Sequence, residues 1–147
     1  MTKSQAAIPR VVLIYGLLGV TPFWTLAAAA RLAPDWTEVL SAVVGVYAAL
    51  ILSFLGGARW GMAVQAPAPN PVVVGLAMTP TLAGLTLIAL AHGNPRPQLL
   101  GLAAALAWSC AWDLRARALP AWYGRLRVLL TFGAVGGLVA GALIPQG

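Results

Sequence analysis

Ser53-Phe54-Leu55-Gly56-Gly57-Ala58-Arg59-Trp60-Gly61 closes an apolar run that begins at Val39. A run of about 20 such residues is what a helix needs to cross a bilayer core of roughly 30 Å. It ends on an arginine and a tryptophan, residue types that collect at the membrane–water boundary. A second stretch mirrors it: Trp108-Ser109-Cys110-Ala111-Trp112-Asp113-Leu114-Arg115 closes the run that begins at Gln98. Arg59 and Asp113 are thus a basic and an acidic residue placed at the ends of two apolar helices, and the rest of the chain is arranged around them.

Working outward, three more runs of similar length are present, Val11–Ala30, Val72–Ala91 and Leu126–Ile144. The expected fold is all-α: a polytopic integral membrane protein, one domain over residues 1–147, built as a bundle of five transmembrane helices near 11–30, 39–61, 72–91, 98–114 and 120–144. Composition agrees. Apolar residues make up 61% and charged residues 8%, against about 45–50% and about 25% in soluble domains. Lys3 and Arg10 before an apolar run that ends in Ala28-Ala29-Ala30 imitate a signal peptide, and we read this segment as an uncleaved first helix.

Punctuation residues place the boundaries. Pro9 suits a first helical turn, and Asp35-x-x-Glu38 reads as a capping box for the second helix. Asn70 and Pro71 cap and open the third helix after a proline-stiffened connector. Gly93-Asn94-Pro95-Arg96-Pro97 separates the third from the fourth, and Pro120 starts the fifth. Thr21-Pro22 and Thr79-Pro80-Thr81 put prolines inside the first and third helices, each freeing a carbonyl that a threonine can satisfy. They mark either kinks or a binding site of the kind broken helices form in transporters.

The net charge of +6 is topological. Lys3, Arg10, Arg59, Arg115, Arg117, Arg125 and Arg127 fall on the N-terminal side, and Arg31 and Arg96 on the other. This asymmetry predicts a cytoplasmic N-terminus and, with five spans, an outside C-terminus. The basic residues flank apolar runs instead of forming a patch, which argues against nucleic acid as a partner. The bilayer is the partner expected first. Arg115, Arg117, Arg125 and Arg127 form a basic loop that would attract anionic lipid.

Enzyme chemistry finds no foothold. Asp35 and Glu38 lie at one end and Asp113 at the other, with no paired carboxylates, nucleophile–base order or phosphate loop. Metal and cofactor sites are not expected either, since His92 and Cys110 are the chain's single histidine and single cysteine.

Two weaker signals remain. Arg59 and Asp113 either pair with each other, lining a small polar site, or act separately. In the separate case Arg59 snorkels to headgroups and Asp113 pairs with Arg117. Trp60, Trp112, Trp122 and Tyr123 suggest an aromatic belt, with Trp36 opposite, while Trp24, Trp108 and Tyr47 lie deeper. Arg59, Asp113, Trp60, Trp108, Trp24 and Tyr47 could together surround a lipid, quinone or porphyrin. Gly57-x-x-x-Gly61 and the face shared by Gly133, Gly137 and Gly141 are small-residue packing surfaces, open to an internal helix or to another protein.

The chain resembles the uncharacterised family of small five-helix membrane proteins that includes transmembrane protein 69. The resemblance rests on Ser53-Phe54-Leu55-Gly56-Gly57 followed by Trp60-Gly61. It rests equally on Leu119-Pro120-Ala121-Trp122-Tyr123 followed by Leu126-Arg127 and Thr131, with Ile8-Pro9-Arg10 and Pro22-Phe23 agreeing. It implies a bacterial inner-membrane or mitochondrial setting and no particular activity. The plan is also similar, in architecture alone, to the tryptophan-rich sensory proteins that bind porphyrins and sterols. The functional expectation is a non-enzymatic accessory or assembly subunit beside a larger inner-membrane complex, with binding or transport of a small lipophilic ligand as the alternative.

Overall fold

Asparagine and proline set several of the helix boundaries, as the local chemistry requires. In the computed structural model, which describes residues 7–90, 94–115 and 120–145, the regular elements are helices throughout. Helix α1 spans Arg10–Leu32, α2 Thr37–Ala63, α3 Pro71–Leu76, α4 Thr79–Ala89, α5 Pro95–Leu114 and α6 Ala121–Ala142, with a 3₁₀ turn at Pro34–Trp36 between α1 and α2. Asn70 accepts from Val72 N at 2.9 Å and Val73 N at 3.4 Å, with Pro71 as the first helical residue. Asn94 repeats the device for α5, accepting from Arg96 N at 3.0 Å ahead of Pro95. The fourth apolar run therefore becomes helical three residues before the expected start at Gln98.

Two boundaries differ from expectation. The Asp35–Glu38 capping box does not form, because the short link between α1 and α2 is taken up by the 3₁₀ turn and Trp36 occupies the N-cap without a side-chain bond. Thr37 ties the corner instead, its buried hydroxyl donating to Ala30 O at 3.0 Å. The third run is also two helices, not one. Pro80 cannot donate to the carbonyl of Leu76, and the Thr79 hydroxyl donates to it at 2.7 Å. In α1 the same pair of residue types does the same work, Thr21 donating to Leu18 O at 2.7 Å, yet α1 runs through Pro22 unbroken. The difference lies in what each proline turn meets. Ala77 is fully buried, and a methyl at Gly56 of α2 would lie 2.7 Å from its carbonyl oxygen. The α3–α4 break is thus seated on bare α2 backbone.

The helices form a closed ring in which α1 packs on α2, α2 on α4, α4 on α5, α5 on α6 and α6 on α1, with α2 and α5 also touching across the middle. Phe23, Val44, Leu52, Leu99, Leu102, Leu106 and Leu138 fill the centre. Ser41, Gln98, Ser109, Asp113, Arg127 and Thr131 are buried as well, while Tyr15, Leu50, Phe54, Leu85 and Phe132 are more than half exposed. Polar groups inside and large apolar side chains outside are the arrangement lipid demands. Among the described residues, four segments are long and apolar enough to cross a bilayer: Arg10–Leu32, Pro34–Ala63, Pro71–Ala89 and Trp122–Ala142. This is a multi-pass membrane protein. Helix α5 is not among the four, since Gln98 and Asp113 near its ends lower its hydropathy.

Candidate functional site

One end of the ring holds a buried ionic cluster. Arg59 lies in the last turns of α2, Asp113 is the penultimate residue of α5, and Arg127 is in the second turn of α6. Arg59 Nη1 donates to Asp113 Oδ1, and Arg127 Nε donates to Asp113 Oδ2 at 2.7 Å. Arg127 is anchored further, Nη1 donating to Thr131 Oγ1 at 3.0 Å and Nη2 to Ser109 Oγ at 3.3 Å. The guanidinium of Arg59 lies over the ring of Trp112, 3.7 Å from its centroid, a cation–π contact. Only 12% of the Arg59 side chain and 7% of each of the other two are accessible. A charge in hydrocarbon costs roughly 2.5–3.5 kcal/mol on insertion scales, so such groups are held in place by one another. Arg59 and Asp113 do pair. Arg117, the alternative partner, lies outside the described residues.

The sequence reading missed Arg127. It had been assigned to the basic loop, yet it follows Leu126 into the apolar run and has Thr131 one turn on, on the same helix face. Those two features were the available signal, because an arginine one turn before a threonine can satisfy itself inside a bundle. Trp112 likewise leaves the expected aromatic belt to lie under Arg59, while Trp122 meets Tyr123 edge-on at 6.1 Å.

Beside the cluster is a cavity of about 510 Å³, set between the first turns of α1, the end of α2 and the start of α6. Its walls are mainly apolar, Val11, Phe54, Leu55, Leu126 and Leu130 among them, and its polar groups are Tyr15, Tyr123 and Arg127. The remaining residues expected at a common site lie elsewhere. Tyr47 donates to Gly19 O at 2.8 Å and meets Phe23 edge-on at 5.1 Å. Trp24 donates through Nε1 to Gly133 O at 2.9 Å. Trp108 is 69% exposed and borders a separate cleft with Thr79, Pro80 and Ala104 between α4 and α5. Trp60 faces outward, 44% exposed. None of these four lines the cavity beside Arg127, because helical periodicity points them to other faces.

The two glycine surfaces part company. A methyl at Gly133 would lie 2.7 Å from Val20 Cγ1, and one at Gly137 would lie 2.6 Å from Phe23 Cβ and 2.9 Å from its carbonyl carbon. Gly141 faces Ala27 and Leu99 at ordinary contact distance. This face of α6 is filled by α1 and is not open to another protein's helix. Gly57 and Gly61, by contrast, have nothing within 4 Å of where a side chain would begin.

Chemically, the cluster combines two fixed cations with one anion, next to an apolar space. It can hold charge and donate hydrogen bonds; it offers no base poised against a nucleophile. Among the described residues no three His, Cys, Asp or Glu side chains gather.

Comparison with known proteins agrees with this picture of a membrane bundle without an assigned activity. Transmembrane protein 69 of Xenopus tropicalis is 29% identical over 154 residues, covering 98% of this chain. The chain spans 60% of that relative's length. No solved structure matches it. The pattern of one family, described as Protein of unknown function (DUF3429), matches residues 8–143, nearly the whole bundle, and the chain belongs to that family.

Proposed function

We propose that this protein is a non-enzymatic binder or carrier of a small lipophilic ligand, taken up in the cavity between α1, α2 and α6. The observation that carries the reading is the lining of that cavity: apolar side chains on most sides, with Arg127, whose guanidinium is buried and bonded to Asp113, among the residues that border it. Ligand sites are typically apolar spaces with a few convergent polar groups, and the volume of about 510 Å³ lies within the usual range. Lipids, quinones and porphyrins all fit that description. Trp112, Trp122 and Tyr123 surround the cluster and supply a signal. Titrating purified protein with decylubiquinone and protoporphyrin should give saturable quenching of tryptophan fluorescence. Ligand-free protein after mild extraction, with no quenching by any lipophile, would remove this reading.

The setting we infer is a bacterial inner membrane or its mitochondrial counterpart, with the N-terminus inside, the C-terminus outside and α5 as the fifth span. The basic bias of the N-terminal side supports the orientation. Helix α5 is 20 residues long and packs against α2, α4 and α6, so a shielded helix can span with lower hydropathy than its neighbours. Cysteine labelling at Ser4 and Gln146 from opposite sides is the expected result; labelling of both from one side would overturn it.

An accessory or assembly role beside a larger complex is the second reading. It cannot use the Gly133–Gly141 face, which α1 occupies, and what favours it is the uncovered Gly57-x-x-x-Gly61 surface of α2. Native gels and mass spectrometry after gentle extraction should then show co-migrating membrane subunits. Migration as this chain alone would count against it.

A further inference from the structure

We infer that the cavity selects an amphiphile with an anionic head, a carboxylate or a phosphate, whose acid group is held by Arg127 while its chain lies among Phe54, Leu55 and Leu130. The inference deepens the ligand-binding reading and rests on it. Its basis is an imbalance within the cluster. Asp113 offers one negative charge to two guanidinium groups, leaving one positive charge uncompensated in a nearly inaccessible place.

The hydrogen bonds are unbalanced in the same sense. A guanidinium carries five N–H donors. Arg127 uses Nε, one N–H of Nη1 and one of Nη2, on Asp113, Thr131 and Ser109. Among the described residues no acceptor is assigned to the second N–H of either terminal nitrogen. Arg59 Nε is buried with no acceptor at all, a condition found at no other buried side-chain nitrogen or oxygen among the described residues. Arg59 does not line the cavity, so its orphan donor marks the cluster as short of acceptors, and Arg127 is the member of that cluster that reaches the cavity wall. Buried donors without acceptors are costly, and a cluster short of acceptors favours a ligand rich in lone pairs. A carboxylate or phosphate supplies both the acceptors and the missing charge, and guanidinium binds either bidentately.

The surroundings support the same sign. Of the chain's three acidic residues, Asp35 and Glu38 lie at the opposite end of α2, so Asp113 is the one acid at this end of the bundle. Arg10, Arg115 and Arg125 are at this end too. Tyr15 and Tyr123 add two phenol groups to the cavity wall. Arg127 is six residues into α6, about 9 Å along its axis at 1.5 Å per residue, so a ligand's head would sit below the membrane surface with its tail toward the bilayer centre. A neutral quinone or diacylglycerol would leave the charge unanswered.

The test uses the full chain in nanodiscs of phosphatidylcholine, titrated with matched pairs: oleate against oleamide, and dioleoyl phosphatidic acid against dioleoylglycerol. Native mass spectrometry and tryptophan fluorescence are the readouts. The acids should bind at least about tenfold more tightly than their neutral partners, the size expected for one charge-assisted hydrogen bond. Whichever acid shows the larger ratio identifies the head as carboxylate or phosphate. Arg127→Gln should abolish the preference. Because that variant disturbs a buried cluster and can fail to fold, Ala58→Phe provides an independent arm. Ala58 is an exposed residue on the cavity wall, and a phenyl ring there should block acid binding while the ion cluster stays intact. Arg115→Gln, at the exposed end of α5, should change nothing.

Three results overturn the inference. Equal binding of acids and neutral partners, blocked by Ala58→Phe, would refute charge selection and leave the ligand-binding reading standing. An acid preference that survives Ala58→Phe but disappears in Arg115→Gln would assign it to surface electrostatics. No saturable binding of any probe would remove both readings.

Discussion

Helices α1 and α6 touch along their length in two different ways. At one end Val20, Phe23, Trp24 and Ala27 press onto Gly133, Gly136, Gly137 and Gly141, close enough that an added methyl at Gly133 or Gly137 has no room. At the other end the same two helices meet through a side chain, Leu130 lying 2.8 Å from where a methyl on Gly16 would sit, and they border a cavity of about 510 Å³ with charge beside it. The zipped end is held by backbone approach, which works in lipid because small residues bring helices into close van der Waals contact. The cavity end is held by Asp113, which ties α2 and α6 to α5 through two arginines.

The largest effect is expected at the cavity end. Asp113→Ala leaves two buried guanidinium groups facing each other and should cost about 3–5 kcal/mol, the usual penalty for breaking a buried ion pair from one side. Thermal unfolding in detergent would show it, and a loss no greater than a surface substitution would mean that the cluster is hydrated in solution. Reversing both charges together, Arg59→Asp with Asp113→Arg, should not restore stability. The new arginine would face Arg127, whose present bond is to Asp113.

Next comes the zipped end. Gly137→Ala should destabilise by about 1–3 kcal/mol as an overpacking change, since the obstacle includes the Phe23 backbone. If its unfolding temperature matches wild type, α1 and α6 are not zipped as described. A smaller loss, about 0.6 kcal/mol, is expected for Trp24→Phe, which removes one interhelical hydrogen bond to Gly133 O. A double-mutant comparison with Gly137→Ala would show whether the two contacts act as one unit.

The smallest effect serves as the control. Gly57→Ala meets open space on a helical segment, so it should be neutral or stabilising by at most about 1 kcal/mol. Destabilisation there in the isolated protein would point to a contact between copies of the chain at this face.

Much of this could be read before the structure. Apolar run lengths located the helices, and Asn70 marked one start because its side chain accepts from the backbone two residues on; Asn94 does the same for α5, where the sequence offered only a break and a start at Gln98. Thr79 and Thr21 were recognisable as substitutes for the donors that proline removes. Less legible was which of two identical motifs is filled. Gly57-x-x-x-Gly61 and Gly133-x-x-x-Gly137 have the same spacing, and only the placement of α1 distinguishes them. The capping box at Asp35 and Glu38 misled because the backbone of a tight corner outranked the local side-chain preference.

By itself, then, the sequence determined that this chain lives in a membrane, where its helices run, and that Arg59 and Asp113 share one end of the bundle. Those properties follow from transfer free energy and local hydrogen bonding, which depend on neighbouring residues in the chain. Tertiary structure alone decided that Arg127 completes the cluster, that Tyr47, Trp24 and Trp108 do not join it, and that a cavity opens beside it. Those are outcomes of how helices rotate about their axes and pack, and a side chain's partner across the bundle is set by every other helix at once.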